Sequence, residues 1–286
     1  MQVVKLLRIH QYIKNLFIFT PLFFTFSFTL DKFINISIAF ILFSIIASSI
    51  YVFNDLMDVE EDKKHPSKRF RPLASGKVSK LTAKILIISL STISLITAYL
   101  LNIQLFTILL VYFILNIAYS LKLKHITIVD IFVIATGFVL RLFAGSSMID
   151  TPLSMWIIIM TFFLALFLAL AKRRDDVLLS IKEKGTRKNI DGYNLEFVNA
   201  SIILMSGVVI VSYVLYTVSQ SVMDKFHSEN LYLTTFFVIL GVMRYMQITF
   251  VEQNSSSPTK IVLKDKFLQV TILFWIISFT VIVKFL

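Results

Sequence analysis

Long apolar runs recur along this 286-residue chain, and several reach the roughly 20 residues that an α-helix needs to cross the hydrocarbon core of a bilayer. With 57% of residues hydrophobic and 16% charged, there is too little polar sequence to cover a soluble domain of this length. The runs lack the short alternating pattern of a transmembrane barrel. The expected fold is therefore an all-α integral membrane protein, with about nine spans near 16–30, 33–53, 81–101, 104–121, 126–149, 153–171, 200–222, 231–250 and 267–285. The chain has no cysteine, which excludes a disulfide, a thiolate nucleophile and any Cys-ligated metal. Its first residues, MQVVKLLRIHQYIKN, are basic and lead into a run without a small-residue cleavage site, so no removable signal peptide is expected.

Nine spans place the termini on opposite sides, and the basic residues choose the orientation. Of the 28 Lys and Arg, 23 fall on the side of the N-terminus, three (Lys32, Lys225, Lys284) on the other, and Arg141 and Arg244 inside spans. The positive-inside rule then predicts a cytoplasmic N-terminus and an external C-terminus. The net charge of +11 is mostly this topology signal, and no soluble basic module is present to bind nucleic acid. The external connections are short. The cytoplasmic ones, near 54–80, 172–199 and 251–266, hold nearly all the chemistry-capable residues. The spans and these loops are expected to form a single domain, 1–286, with a working face toward the cytosol.

The first of these loops, NDLMDVEEDKKHPSKRFRPLASGK at 54–77, packs acid, base and turn residues between two apolar runs. Continued as a helix from the preceding span, Asn54, Asp58 and Asp62 fall at i, i+4 and i+8, with Asp55 three residues before Asp58. Oxygen donors gathered this way suit a hard cation such as Mg²⁺ bridging to a diphosphate, and a solvated acidic helix end is the plainer alternative. His65-Pro66 ends the helix, because proline forces the preceding residue out of helical angles. Lys68, Arg69 and Arg71 then stand on a compact turn closed by Ser75-Gly76. They can meet phosphate oxygens, or they can simply obey the positive-inside rule and touch anionic headgroups. The neighbouring carboxylates favour phosphate.

On the fifth span, Asp130 and Arg141 point the same way but stand roughly 16 Å apart along the axis, too far to pair. Ionisable groups at such depth face a cavity or a partner, so Asp130 reads as a substrate or second-metal contact near the cytoplasmic mouth and Arg141 as a deeper structural pairing. Arg244 reads as structural too. His10, His125 and His227 lack metal-ligand spacing, and His65 is a turn residue. A transporter would need its ionisable residues at mid-membrane in broken helices, whereas most of the charge here lies at one face.

Asn54, Asp55, Asp58 and Asp62 in NDLMDVEED resemble the NDxxDxxxD metal-diphosphate motif of the UbiA superfamily of intramembrane prenyltransferases, and RPLASG at 71–76 resembles its turn. The resemblance covers nearly the whole chain. Within the superfamily, HQYIKNLFIFTP (10–21), HPSKRFRPLASGK (65–77), YSLKLKHITIVD (119–130) leading to GFVLRLFAG (137–145), and SPTKIVLKDKFL (257–268) resemble the polyprenyl-phosphate phosphoribosyltransferase branch. The chain departs from the aromatic prenyltransferases after the sixth span, where LALAKRRDDVLLSIKEKG replaces their second aspartate-rich DxxxD motif.

The resemblance implies helices around a central cavity, with Mg²⁺ and a diphosphate at its cytoplasmic mouth beneath the loops. It implies an enzyme of a bacterial or archaeal cell membrane, working in cell-envelope biosynthesis. The reaction is transfer of 5-phosphoribosyl from phosphoribosyl diphosphate to a polyprenyl phosphate; the alternative donor is a prenyl diphosphate with an aromatic or other acceptor. Asp55, Asp58 and Asp62 become the catalytic residues and, with Asn54, the metal ligands. Substrate contacts fall to Lys14, Asn54, Lys68, Arg71, Tyr119, Lys122, Lys124, Asp130, Lys172 and Arg173. Isoprenoid length and oligomeric state are left open.

Overall fold

A computed structural model of the chain describes residues 2–26, 28–65, 68–182, 192–255 and 257–285. Among these residues the secondary structure is helical throughout, with no strand. Residues cluster into two compact units, Met1–Leu153 and Ser154–Leu286.

The first unit runs α1 (Gln2–Leu7), a 3-10 helix (Ile9–Phe19), α2 (Thr20–Thr25), α3 (Leu30–Met57), α4 (Val59–Lys64), α5 (Lys80–Leu101), α6 (Ile103–Leu121) and α7 (Val129–Ile149). The central element is α3, which packs against the 3-10 helix, α5, α6 and α7. Ala39, Ser44, Ala47, Ser48 and Ser49 keep its surface low enough for neighbours to approach, as membrane helices require when lipid offers no hydrophobic gain. The serines also tie it in: Ser44 accepts from Asn15 Nδ2 at 2.9 Å, Ser48 Oγ meets Tyr12 Oη at 2.8 Å, and Ser49 Oγ donates to the Ile87 carbonyl at 3.1 Å.

Eight helices among the described residues are long and apolar enough to cross a membrane. The expected first span, 16–30, is not among them, because the chain there is the 3-10 helix followed by α2. Three residues per turn put Tyr12, Asn15 and Ile18 on one straight row facing α3, a register that an α-helix would let drift. This segment still runs the length of α3 in the opposite direction. Arg8 meets Asp55 at one end, and the Phe19 ring lies 6.0 Å from that of Phe33 toward the other. At ~2.0 Å rise per 3-10 residue and ~1.5 Å per α residue, Ile9–Thr25 extends roughly 31 Å, a full hydrocarbon thickness. The described residues therefore hold eight helices of spanning length where about nine were expected, with this shorter pair of helices in place of the first. Its close seat on α7 depends on Gly145, where an added Cβ would lie 1.9 Å from the Ile18 carbonyl oxygen.

The second unit runs α8 (Met155–Lys182), α9 (Leu195–Thr217), α10 (Gln220–Phe226), a 3-10 segment (Asn230–Thr234), α11 (Thr235–Phe250), α12 (Pro258–Lys264) and α13 (Lys266–Phe285). A buried chain of hydrogen bonds, Trp275 Nε1 to Tyr213 Oη and Tyr213 Oη to Thr234 Oγ1, both 2.7 Å, joins α13, α9 and the 3-10 segment. At another joint, Arg244 on α11 grips Asp265, whose Oδ1 caps the first turn of α13 through Leu268 N–H at 2.8 Å.

Candidate active site

The acidic stretch is nearly the continuous helix that its spacing predicts. α3 gives way to α4 at Asp58, yet Asp58 N–H still bonds to the Asn54 carbonyl at 3.0 Å and Asp62 N–H to the Asp58 carbonyl at 2.8 Å. His65, extended at φ −84° and ψ 135°, ends α4 as a pre-proline residue should; Pro66 and Ser67 lie outside the described residues. Beyond it, Ser75 N–H bonds to the Arg71 carbonyl at 2.9 Å, and Gly76 takes the left-handed φ of +73° that closes the turn. The foot of the turn is apolar: Leu73 and Val78 are buried with Leu6, Val52, Val59 and Ala83. That anchoring fixes where Arg71 can reach.

Arg71 reaches two aspartates at once. Its Nη1 lies 3.1 Å from Asp55 Oδ1 and 2.7 Å from Asp62 Oδ2. Asp55 Oδ1 also accepts from Arg8 Nη2, and Lys124 Nζ donates to Asp58 Oδ1 at 2.6 Å. Asp55 and Asp62 are each only 2% exposed, a depth at which an ionised carboxylate must be paired. Sequence reading missed Arg8. It sits 47 residues from its partner in a left-handed conformation, φ 52° and ψ 47°, with its guanidinium over the Tyr51 ring, and in the sequence only its charge was visible.

The remaining candidates in this unit fall on the 3-10 helix, α3, the turn before α5, the end of α6 and α7. Lys14 stands on the 3-10 helix beside Asn15, and Asn54 is half-buried in the last turn of α3. The Lys68 backbone donates to His65 Nδ1 at 3.3 Å, while Arg69 covers the Phe70 ring. Tyr119 is near the end of α6, Lys122 caps it and is exposed, and Asp130 is buried in the first turn of α7. Just before Asp130, Ile128 adopts φ 73°, costly for a β-branched residue. Arg141 is buried as a structural group: it donates to Asn15 Oδ1 (2.9 Å), the Gly137 carbonyl (2.7 Å) and Tyr112 Oη (3.1 Å) and lies over three aromatic rings.

In the second unit, the stretch read as a loop from residue 172 is helical up to Lys182, and residues 183–191 lie outside the described residues. The helix continues because its charges are used. Arg173 pairs with Asp176 at 3.2 Å, and Arg174 turns inward to Asn199 Oδ1 (2.9 Å) and the Thr249 carbonyl (2.7 Å). Asp175 accepts from Ser255 N–H at 2.7 Å and meets Ser255 Oγ at 2.8 Å. Lys172 is exposed. The Arg244 reading as a structural pair agrees with its contacts to Asp265, Glu252 and Gln247.

No three carboxylate or imidazole residues among those described converge as a ready-made metal site. The residue chemistry nonetheless suits a hard divalent cation: the Asp55 and Asp62 carboxylates meet one positively charged nitrogen, and Asn54 and Asp58 offer further oxygens on the same stretch of helix. Positive charge between Asp55 and Asp62 is what the arrangement requires.

Residues 16–185 match the UbiA prenyltransferase family. The chain is similar to the decaprenyl-phosphate phosphoribosyltransferase of Mycobacterium tuberculosis, 30% identical across 99% of this chain and 94% of that one. It is 32% identical to the protein of the same name from Mycolicibacterium smegmatis, over 85% of this chain and 78% of the other. Among solved structures, a UbiA homolog from Archaeoglobus fulgidus bound to DMAPP and Mg²⁺ superimposes over the whole of both chains with a TM-score of 0.72 at 19% identity.

Proposed function

Because this chain belongs to the UbiA prenyltransferase family, we propose that it works as a membrane-embedded transferase that moves 5-phosphoribosyl from phosphoribosyl diphosphate to a polyprenyl phosphate. A lipid phosphate oxygen attacks C1 of the ribose, the bond from C1 to the diphosphate oxygen breaks, and diphosphate leaves. The observation that carries the reading is the charge-balanced group of Asp55, Asp58 and Asp62 with Arg8, Arg71 and Lys124, held at one end of a membrane helix in a chain alike end to end to named phosphoribosyltransferases.

In this reading Asn54, Asp55, Asp58 and Asp62 are the residues that would hold Mg²⁺, and the ion would supply charge to neutralise a leaving diphosphate. Arg71, with Lys68 and Lys124, takes the diphosphate oxygens, Arg offering a planar fork for them. Lys14, Tyr119, Lys122 and Asp130 orient the sugar and the lipid phosphate. The acceptor is already an anion, so no side chain need remove a proton. Positioning and electrostatics therefore carry the rate. Lys172 and Arg173 meet a further phosphate. The two units act as one transferase domain whose acidic end faces the cytosol; a reporter after Asp150 that reads cytoplasmic would overturn that orientation.

Transfer from a prenyl diphosphate to another acceptor ranks second, since Asp175 and Asp176 are engaged by Ser255 and Arg173. The test is release of diphosphate by purified protein in lipid. It should require phosphoribosyl diphosphate, Mg²⁺ and polyprenyl phosphate together. Release supported by a prenyl diphosphate in place of phosphoribosyl diphosphate would favour the second reading.

A further inference from the structure

Asp55, Asp58 and Asp62 already have their cations. Asp55 Oδ1 accepts from both Arg8 and Arg71, Asp62 Oδ2 takes Arg71 at 2.7 Å, and Asp58 Oδ1 takes Lys124 at 2.6 Å. Asp55 and Asp62 with Arg8 and Arg71 form one charge-balanced group, and Asp58 with Lys124 a second balanced pair on the same stretch of helix. Asp55 and Asp62 are too buried for water to screen a surplus. A divalent ion entering alone would leave that group with two excess positive charges and would have to strip hydrogen bonds from the oxygens it needs, which Mg²⁺ approaches to ~2.0–2.1 Å. A diphosphate entering with the ion changes both conditions. Its negative charge offsets the metal, and its oxygens give the guanidinium and ammonium groups a new partner as they leave the carboxylates.

We propose that Arg8, Arg71 and Lys124 are stand-in cations that keep the metal off the aspartates until a diphosphate draws them away, so that metal and diphosphate bind with positive cooperativity. The proposal rests on the metal-diphosphate reading of this site but not on the identity of the group transferred. Arg8 is the member best placed to hold the uncharged-overall resting state. A left-handed backbone and the Tyr51 ring fix its guanidinium on the same oxygen that Arg71 uses, so Asp55 is occupied twice. Linkage requires the effect to be reciprocal: whatever factor diphosphate adds to metal affinity, metal must add to diphosphate affinity.

The test uses the full chain in lipid nanodiscs, Mn²⁺ as metal and inorganic diphosphate as ligand, with binding followed by Mn²⁺ electron paramagnetic resonance and by calorimetry. Each titration is corrected for metal–diphosphate pairing in free solution. Wild type should bind Mn²⁺ at least about tenfold more tightly with saturating diphosphate, within the roughly 5–150-fold range usual for such coupling. Arg8→Gln, which leaves Arg71 on Asp55, should bind Mn²⁺ alone more tightly than wild type and show a smaller coupling factor. Lys124→Gln should do the same through Asp58. Equal Mn²⁺ affinity with and without diphosphate in wild type overturns the proposal, as does weaker binding of Mn²⁺ alone by both variants. Inorganic diphosphate carries neither ribose nor prenyl group. Coupling without phosphoribosyl transfer therefore refutes only the assigned reaction, and transfer without coupling refutes only this inference.

Discussion

Lys124 Nζ lies 2.6 Å from Asp58 Oδ1, joining the turn after α6 to the junction of α3 and α4 across 66 residues of chain. The pair makes Asp58 the most directly testable of the three aspartates. Asp58→Asn keeps the shape but removes the charge that both Lys124 and a metal would use. Turnover should fall by about 100-fold or more, the scale seen when one electrostatic contact to developing charge is lost, while the protein still purifies as a folded species. Near-normal turnover of the Asn variant across Mg²⁺ concentrations would remove Asp58 from the site.

Gly145 sets the seat of the 3-10 helix. Because a methyl group there would sit 1.9 Å from the Ile18 carbonyl oxygen, which is backbone and cannot swing aside, Gly145→Ala must push the helix off α7. Overpacking of this kind costs ~1–3 kcal/mol. The melting temperature in detergent should drop by several degrees, with Gly207→Ala, where an added Cβ meets nothing within 4 Å, as the control. Equal melting temperatures for wild type and Gly145→Ala would contradict the close contact.

The joint between α11 and α13 has a definite pH signature. Hydrogen bonding to Arg244 holds the Asp265 carboxyl below its ordinary range. A depressed carboxylate contributes stability above its unfolded value, ~3.9, and loses that contribution as pH falls through the lower folded value. Asp265→Asn should therefore melt below wild type at pH 7, and the gap should close as pH is taken below that window. A gap that stays constant down to acid pH would mean that the charge of Asp265 is not what holds the joint.

Asp175 separates a structural acid from a metal ligand. Both of its oxygens face Ser255, so Asp175→Asn places an amide against the Ser255 N–H or hydroxyl and should lower stability without changing the Mg²⁺ concentration for half-maximal turnover. Lys172→Gln with Arg173→Gln should instead weaken substrate affinity, and added substrate should recover part of the rate. If an Asp175→Asn, Asp176→Asn protein lost metal-dependent turnover at unchanged stability, α8 would carry a second metal site and the prenyl reading would lead.

The long spans and the acidic motif were legible because each is a local pattern: apolar length for the helices, i, i+4 and i+8 spacing for Asn54, Asp58 and Asp62. The partners of the aspartates were not. Arg71 lies close enough in sequence to be suspected, but Arg8 is brought to Asp55 only by the 3-10 helix running back along α3, and nothing in the residues 9–19 distinguishes a period of 3.0 from one of 3.6 except the row of Tyr12, Asn15 and Ile18. The stretch from Lys172 to Asp176 read as loop because dense charge resembles a solvated connection. Its i, i+3 pair and the inward contacts of Arg174 and Asp175 make it helix.

Transfer of the 5-phosphoribosyl group to a lipid can be measured directly. Protein in lipid bilayers, given ribose-labelled phosphoribosyl diphosphate, Mg²⁺ and a polyprenyl phosphate, should transfer label into the organic phase, and Asp58→Asn should abolish the transfer. Label that stays in water, while a labelled prenyl diphosphate passes its isoprenoid to an acceptor in the same preparation, would contradict the account.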